Sequence, residues 1–588
     1  MRPQEKASFL RKLKQTDFAS LDTWLNKKIL RRDASEIIVY LSVLGYTLIF
    51  AYFTILKYSA FSAHAWDLGI FDQSLWTTLH AGKLFFSTVE QFIIPSGVFF
   101  GTHFSPILFL VLPFYGLTSS PHALLIFQSL ILALGAVPLY FFAKNALNNK
   151  AVAVVFSLAY LFYPPLQGVN WFDFHVQAFL PLFFFCAIYF LANENFPRYF
   201  LFVFLALTVA ENVPITVAFL GLYCFWRFRK RIVSAVKSRK LVDKNLLVPI
   251  LTIAIAVAWL FLALWVRQAN WPFNPKYTLL YKAVDNWSVL GVQDDPNKLP
   301  IYLITQLQPN KLIYISTQPL RGSLPFGVMS NAAQALSYDW PIKALYLFLL
   351  FGPLLFLSFR SSIGAVSLAW LVPALFSNYM PYYTIGDHFP AYPVAFIFLG
   401  AVEGLRKSSL SAGLPSLPKL ASRTKALLVV GLVFTLLVSP LSPVMGQMDK
   451  RFPYFADYHL PEMTPHDDIL QKICDMVPGN ASILTQNDIF PHFSNRVNAY
   501  VYPLSLMFER STETDLEKDL ENYVEGLFQK SQYVMTDTTT DAGEYSLSAD
   551  IYYKEGLVYS KNQTVRDFRL VADRDGICLF EKNNLGQT

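Results

Sequence analysis

Long apolar runs dominate the chain between residues 37 and 445. A membrane-spanning helix needs about 20 mostly apolar residues, because the hydrocarbon core of a bilayer is about 30 Å thick. Eleven runs approach that length, although several are short. They are residues 37–57, 104–118, 121–143, 151–167, 176–192, 199–225, 246–266, 341–358, 363–377, 389–405 and 425–445. The pattern predicts a membrane all-α fold, a bundle of about 11 transmembrane helices.

After residue 445 the pattern changes to short, charged and alternating motifs. "PHDDILQKICDMV" and "LEKDLENYVEGLFQK" predict helices, whereas "ASILTQ" and "SQYVMTD" predict strands. "RLVADRDGICLFEK" predicts a hairpin that turns at Asp575-Gly576. The tail is therefore predicted to form a small α/β domain.

Basic segments indicate which ends of the helices face the cytoplasm, where Lys and Arg are enriched in short loops. Residues 1–32, 227–240 and 406–425 are the three basic segments, and eleven spans place all of them inside. The loops 58–103 and 267–340 then lie outside, together with the tail. The predicted localisation is the cell membrane, multi-pass, with the N-terminus cytoplasmic and the C-terminal domain extracytoplasmic.

These assignments divide the chain into a cytoplasmic basic N-terminus, residues 1–36, a polytopic transmembrane domain, residues 37–445, and an extracytoplasmic domain, residues 446–588. The same count places residues 144–150 outside and residues 167–177 inside. A re-entrant run at 104–118 or 151–163, in place of a span, would reverse both placements.

Composition agrees with a membrane protein. The 588 residues are 54% hydrophobic and only 15% charged, whereas soluble domains are roughly 25% charged. The net charge of +7 does not indicate nucleic acid binding, because the basic residues cluster beside predicted spans. The four cysteines are too scattered for a zinc site, and only Cys474 and Cys578, both in the tail, are placed to form a disulfide.

The first outer loop contains two acids in an apolar setting, within "DLGIFDQSLWTTLHAG". This stretch predicts a helix with Asp67 at the N-cap and Gly82 just past its end. The apolar stripe along it predicts a helix lying on the membrane surface. Asp67 and Asp72 are separated by about 140° around a helix, so they are not expected to chelate one metal ion. Alternatively, Asp67 only caps the helix and Asp72 is solvated.

Histidines and acids recur at the ends of the apolar runs. His103 lies in "GTHFSP", Asp173 and His175 lie in "NWFDFH", and Asp387 and His388 lie in "GDHFPAY". Such residues are expected if the spans surround one polar cavity. His103 suits a phosphate or a metal ion, or a simple interfacial hydrogen bond. The other four are equally compatible with ordinary loops.

Glu211 lies inside the apolar run 199–225. A carboxylate at membrane depth is costly and usually faces a polar interior with a partner, which favours a functional role over the bracing of helices. The outer loop 267–340 combines basic residues, among them Arg321, with aromatic residues. That mixture suits a lipid-phosphate head group carrying a sugar, although it is common at membrane interfaces.

Five motifs carry a family resemblance: "AWDLGIFDQSLW", "HFSPILFLVLPFYGL", "FQSLILALGAVPLY", "WFDFHVQAF" and "ASILTQNDIFPHFSNR". They resemble the DUF2079 family, uncharacterised polytopic membrane proteins of archaea and bacteria, from about residue 40 onward. That family in turn resembles the GT-C glycosyltransferases, the class of protein O-mannosyltransferases and lipid A aminoarabinose transferase.

The resemblance implies a GT-C-like bundle with a surface helix in the first outer loop. It also implies a polyprenyl-phosphate sugar donor and a catalytic acid in that loop, which makes Asp67 and Asp72 the catalytic candidates. Two features depart from the pattern. The acids are five positions apart, and the Lys-Glu-Asp-like stretch expected around Glu211 is "AEN" here, so only the glutamate matches.

The predicted function is the transfer of a sugar from the lipid-linked donor to an acceptor on the outer face: a protein, a lipid or a glycan. Asp67 is the preferred general base and Asp72 the second candidate. Positive side chains or a divalent metal ion would stabilise the departing phosphate. The predicted substrate-binding residues are His103, Asp173, His175, Glu211, Asp387, His388 and Arg321. The alternatives are a transporter or lipid flippase that uses the intramembrane carboxylate Glu211, and a non-catalytic scaffold.

Overall fold

The computed structural model describes most, but not all, of the chain. The described residues are 25, 28–29, 32–92, 94, 96–238, 243–270, 336, 339–376, 380–411, 414–415, 417–445, 458–502, 514–537, 539 and 568–583. Arg321 and most of the predicted outer loop 267–340 lie outside them.

α-Helices make up most of the described structure. They are α1 (Ala34–Ser59), α2 (Ile70–His80), α3 (Phe99–Thr102), α4 (Leu108–Tyr115), α5 (Pro121–Leu134), α6 (Ala136–Leu147), α7 (Lys150–Leu161), α8 (Pro164–Trp171), α9 (Leu180–Ala192), α10 (Phe196–Leu207), α11 (Val213–Lys237), α12 (Lys244–Asn270), α13 (Trp340–Phe351), α14 (Leu368–Leu375), α15 (Ala391–Ser409), α16 (Leu417–Val438), α17 (Pro465–Cys474) and α18 (Thr514–Lys530).

Polar residues between the apolar runs start several of these helices. The side chains of Ser120 and Asn149 accept hydrogen bonds from the first turns of α5 and α7, and Asn195 does the same for α10. Such caps satisfy backbone N–H groups that have no partner within the helix.

Four helices in the described part of the chain are long and apolar enough to cross a membrane: Ala34–Ser59, Pro121–Leu147, Lys244–Arg267 and Leu420–Val438. The bent pair formed by α7 and α8 would make a fifth. The predicted number of eleven transmembrane helices is therefore not confirmed.

Two predicted spans take a different form. Residues 104–118 contain only α4, whose eight residues extend about 12 Å and cannot cross a bilayer. The run 199–225 is divided into α10 and α11 by a break at residues 208–212, which contains Glu211. Apolar composition alone does not reveal such interruptions.

Ion pairs identify which loops share an end of the bundle. Lys150 Nζ lies 2.9 Å from an oxygen of Asp33, just before α1, so the loop 144–150 lies at the end where α1 begins, here called the basic end. Lys57, near the other end of α1, lies 3.5 Å from Asp173, which defines the site end. The eleven-span count had placed loop 144–150 on the side opposite the start of α1 and loop 167–177 on the same side, and the ion pairs show the reverse relative to α1.

The tail contains the predicted small sheet. Its strands are β5 (Ile483–Thr485), β6 (Ala499–Val501), β7 (Tyr533–Asp537), β8 (Phe568–Arg574) and β9 (Ile577–Lys582), in the order β6-β5-β7-β9-β8. β5 is parallel to β6 and β7, whereas β9 is antiparallel to β7 and β8. Two short hairpins, β1 (Lys28–Ile29) with β2 (Arg32–Asp33) and β3 (Leu410–Ser411) with β4 (Leu414–Pro415), lie elsewhere.

The strands and helices predicted for the tail are confirmed, and the β8–β9 hairpin turns at Asp575 and Gly576, both with positive φ. The suggested disulfide is wrong, because Cys474 and Cys578 are both free thiols. The connection from β5 to β6, residues 486–498, leaves the sheet and packs on the first outer loop. We call it the docking segment.

The predicted surface helix is α2, and its apolar stripe packs inside the protein, whereas we expected it to rest on the bilayer. Leu68, Phe71 and Leu75, three residues of its apolar stripe, are buried in the protein core, and only Leu79 is exposed. Gly82, with φ of 64°, follows the end of α2 as predicted.

Candidate functional site

Asp67 lies in a π-helical turn, Ala65–Gly69, that leads into α2. The N–H of Gly69 donates to the carbonyl of His64, 3.1 Å away, in the i to i+5 pattern of a π turn. Asp67 is therefore inside the turn, and its prediction as the N-cap is wrong. π turns of this kind are frequent at functional sites.

The carboxylate of Asp67 meets His175, with 3.4 Å between Oδ1 and the imidazole Nε2. Nδ1 of the same ring lies 3.0 Å from the carbonyl oxygen of Asp173. Because a carbonyl only accepts hydrogen bonds, Nδ1 carries the proton. Burial lowers the pKa of His175 to about 4, against the weaker opposing effect of Asp173, so the ring is neutral near pH 7.

A neutral His175 with its proton on Nδ1 turns the Nε2 lone pair toward the Asp67 oxygen. Two acceptors then face each other, and a proton that Asp67 acquires could be shared between them. The side chain of Asp67 is 22% exposed, so a substrate can reach it. The pair has the geometry of a base whose acquired proton is held by a second acceptor.

His388 stacks on His175 with ring centroids 4.0 Å apart and planes 7° apart. Burial and the neighbouring rings of His175 and His103 hold the pKa of His388 well below its usual range. Its Nδ1 is buried and has no hydrogen-bond partner among the described residues. Asp387, next in sequence, accepts a hydrogen bond from Thr384 at 2.6 Å.

Asp173 has a structural role next to the Asp67–His175 pair. Its carboxylate lies 3.5 Å from Lys57 Nζ and accepts a 2.7 Å hydrogen bond from the backbone N–H of His64. Both Asp173 and Lys57 are buried, so the acid fixes the loop that carries His175 to the end of α1.

A second charged cluster surrounds Glu211, in the break between α10 and α11. Glu211 Oε1 lies 3.1 Å from His103 Nδ1 and 3.7 Å from Arg267 Nη1, and Oε2 accepts from the N–H of Phe104. Burial lowers the pKa of His103, but the Glu211 carboxylate outweighs it, and the net shift is upward. The His103 side chain remains 42% exposed.

Aromatic rings connect the two clusters. The Phe71 ring lies 5.4 Å from His175 and 5.1 Å from Phe99, and Phe99 lies 5.7 Å from His103. The charge of His103 is close enough to lower the pKa of His175. Six of the predicted residues, Asp67, His103, Asp173, His175, Glu211 and His388, therefore gather at the site end.

Asp72 faces another part of the protein. It is fully buried, and its two oxygens accept hydrogen bonds from the Tyr115 hydroxyl at 2.8 Å and the Ser494 hydroxyl at 2.6 Å. Burial raises the pKa of Asp72 to about 7, while those two bonds act in the opposite direction. Asp72 joins α2 and α4 to the docking segment.

The docking segment supplies partners that the sequence pattern does not single out. His492 stacks between Tyr58 and Phe61, at 4.3 and 3.9 Å, and donates from Nε2 to the Tyr58 carbonyl. The available signal was the motif "NDIFPHFSNR", whose histidine and aromatic residues are unusual in a solvated loop. Its partner could not be read from the motif.

Within the described part of the chain, no group of three or more His, Cys, Asp or Glu side chains is arranged to hold a metal ion. The geometry there supplies hydrogen-bonding and charged side chains instead. The basic side chains at the site end are Lys57, paired with Asp173, and His103 and Arg267, paired with Glu211.

Comparison with known families places most of the chain in a described family. The family model described as "Predicted membrane protein (DUF2079)" matches residues 57–579, which include every residue of the site. No curated protein matches the chain.

Proposed function

The chain belongs to the DUF2079 family of predicted membrane proteins, and we propose that it is a GT-C-type glycosyltransferase. It would move a sugar from a polyprenyl-phosphate-linked donor to an acceptor on the outer face of the membrane. The observation that carries the proposal is the Asp67–His175 pair, an accessible carboxylate beside a neutral imidazole, at the same end of the bundle as the charged cluster of Glu211, His103 and Arg267.

In the proposed reaction the acceptor's O–H or N–H bond breaks, and its proton passes to Asp67 and is shared with His175 Nε2. The acceptor atom bonds to the anomeric carbon of the donor sugar as the bond from that carbon to the phosphate oxygen breaks. The electron pair leaves with the phosphate. General-base catalysis of this kind contributes about 10²- to 10⁴-fold.

The leaving phosphate needs positive charge, and the Glu211 cluster supports that role. Arg267 and His103 both face the Glu211 carboxylate, the buried Glu90 carboxyl lies near both of them, and the imidazole of His103 is partly exposed. Preorganised charge of this kind stabilises a transition state without reorganisation during the reaction.

The distribution of charge supports an outward-facing site end. Lys144 and Lys150 lie at the basic end together with the start of α1, which follows the basic residues 1–32 in the sequence. Because cytoplasmic loops are enriched in Lys and Arg, the basic end would face the cytoplasm. Asp67 and the C-terminal sheet would then lie outside. The exposed face of α4, with Phe109, Leu110 and Phe114, suits contact with lipid at that level.

Release of polyprenyl phosphate by the full chain in nanodiscs tests the proposal. The donors are mannosyl and aminoarabinosyl polyprenyl phosphates, and an extract of host membranes supplies the acceptor. Asp67→Asn is expected to reduce release by at least about 100-fold. Glu194→Gln, at an exposed ion pair with Arg231, is the control and should release at the wild-type rate. Equal release by wild type and Asp67→Asn, or none by wild type, would contradict the proposal.

The second candidate function, a transporter or flippase, is favoured by one observation, the buried Glu211 held between ionisable His103 and Arg267. A transporter should depend on Glu211 and tolerate Asp67→Asn. Movement of a fluorescent polyprenyl phosphate between leaflets of the same vesicles, lost in Glu211→Gln and retained in Asp67→Asn, would support this second function over the transferase.

A further inference from the structure

The π turn that carries Asp67 begins without a cap from its own sequence. No side chain at its N-terminus bonds its first N–H groups. Two distant acceptors do so instead: Asp173 accepts from the N–H of His64, and Asn487 accepts from the N–H of Ala65. The latter pair is 422 positions apart in sequence.

Asn487 bonds Ala65 with both of its oxygens. The N–H of Ala65 lies 2.8 Å from the backbone carbonyl and 3.0 Å from the side-chain Oδ1. Asn487 and Ala65 are both buried, so water cannot replace Asn487 as the hydrogen-bond acceptor for this N–H. An uncapped, buried donor is expensive, and the cap therefore decides where the turn begins.

The sheet fixes the position of Asn487. β5 ends at Thr485, and the carbonyl of Gln486 accepts a hydrogen bond from the N–H of Phe490 at 3.0 Å, which turns the docking segment back toward α2. β5 is followed in sequence by β6 on one side and then by β7 on the other, so the order in which strands are added to the sheet reverses at β5. Functional residues of open α/β sheets gather beyond the carboxyl ends of strands at such a point.

Further contacts hold the turn against the docking segment. Phe490 packs so closely on Gly69 that a methyl group there would lie 2.7 Å from its ring. The Gln73 side chain donates to the carbonyls of Arg496 and Ala499, at 2.9 and 3.3 Å. The turn is thus fixed at its start by Asn487 and at its end by Phe490, with Asp67 between them.

We propose that Asn487 is a positioning residue for Asp67, through which the C-terminal sheet forms part of the reaction site. Asn487 does not touch the reacting atoms. It holds the N-terminus of the π turn so that Asp67 keeps its place opposite His175. This inference rests on the proposed transferase function for its kinetic consequence, whereas its structural consequence is independent of that function.

Hydrogen exchange and kinetics on the full chain in nanodiscs test the assignment. Asn487→Ala removes the side-chain acceptor but leaves the backbone carbonyl on the Ala65 N–H, so it weakens the cap without abolishing it, whereas Asn487→Asp keeps both acceptors. Asn495→Ala is the matched control, because Asn495 also lies in the docking segment but bonds Ser119 away from the turn.

In Asn487→Ala, amide exchange in residues 64–69 is expected to rise and kcat for release of polyprenyl phosphate to fall, each about tenfold, with KM unchanged. Asn487→Asp should restore both. Exchange in Asn487→Ala equal to that in Asn495→Ala would overturn the assignment, as would a loss that Asn487→Asp does not restore. If the wild type releases no polyprenyl phosphate, the transferase proposal fails, and exchange alone decides the role of Asn487.

Discussion

Nε2 of His175 lies 3.4 Å from a carboxylate oxygen of Asp67, although the two residues belong to different loops of the site end. The tautomer of His175 is set by the Asp173 carbonyl behind it. A proton can therefore be held between the partly exposed Asp67 carboxylate and the neutral His175 ring. The acceptor substrate of the proposed transfer could lose its proton at this point.

Asp72 makes stability depend on pH. Its pKa of about 7 lies above the ordinary value of 3.8 because of burial. A raised pKa means that its contribution is complete below pH 4 and is lost as the pH rises through 7, a difference of roughly 4 kcal/mol for about three pKa units.

Asn at position 72 can still bond both hydroxyl groups, because a hydroxyl either donates or accepts. We expect the melting temperature of the wild type to fall relative to Asp72→Asn as the pH rises from 5 to 8. Thermal unfolding followed by tryptophan fluorescence measures this difference. Parallel melting curves at all pH values would show that the Asp72 carboxyl is not buried between Tyr115 and Ser494.

His492 adds a dependence of opposite sign. Burial lowers its pKa to about 4, against the weaker effect of its hydrogen bond to Tyr58. Its contribution is complete above the ordinary value of 6.5 and is lost as the pH falls through 4. Acid should therefore release the docking segment. The measurement is limited proteolysis, which should cleave within residues 486–498 at pH 4.5.

The matched variant is His492→Phe, which keeps the stacking between Tyr58 and Phe61 and removes the titration. It should resist proteolysis equally at pH 4.5 and 7. Acid-induced cleavage in this variant to the same extent as in wild type would refute a role for the imidazole.

Gly69 is expected to tolerate no side chain. In Gly69→Ala the new methyl group would lie 2.7 Å from the Phe490 ring, and such overpacking costs about 1–3 kcal/mol. Gly45→Ala, in α1 with nothing within 4 Å of the new atom, is the control and should melt near the wild-type temperature.

Reducing the size of the Phe490 ring tests the contact itself. Phe490→Leu should make the further change Gly69→Ala almost neutral, with a coupling of about 1–3 kcal/mol in the double-mutant cycle. Additive losses in the double variant would mean that Gly69 and Phe490 do not touch.

Sequence patterns predicted features that depend on neighbouring residues. The β8–β9 turn follows from Asp575-Gly576, which accept positive φ, and α1 follows from an uninterrupted apolar run. The same local reasoning failed at Asp67, because the first polar residue before an apolar stripe is normally the cap. Here Asp173 and Asn487 provide the caps from distant parts of the chain.

The site was predictable only as a set of candidates. His103, His175 and Glu211 were recognisable as polar residues beside apolar runs, and the structure brings them together. Their pairing depends on how the helices break and pack, and the signal for the break at residues 208–212, Pro214 at the start of α11, was hidden by the apolar composition of the run. The burial of Asp72 depends on Ser494, whose contact with α2 spans 422 positions.

The central claim is that Asp67, and not Asp72, takes the proton from the acceptor. Release of polyprenyl phosphate by Asp67→Asn and Asp72→Asn, measured side by side at pH 7 in nanodiscs, tests it most directly. We predict a loss of at least about 100-fold for Asp67→Asn and a rate within about threefold of wild type for Asp72→Asn. The reverse order, or an equal loss in both variants, would contradict the account.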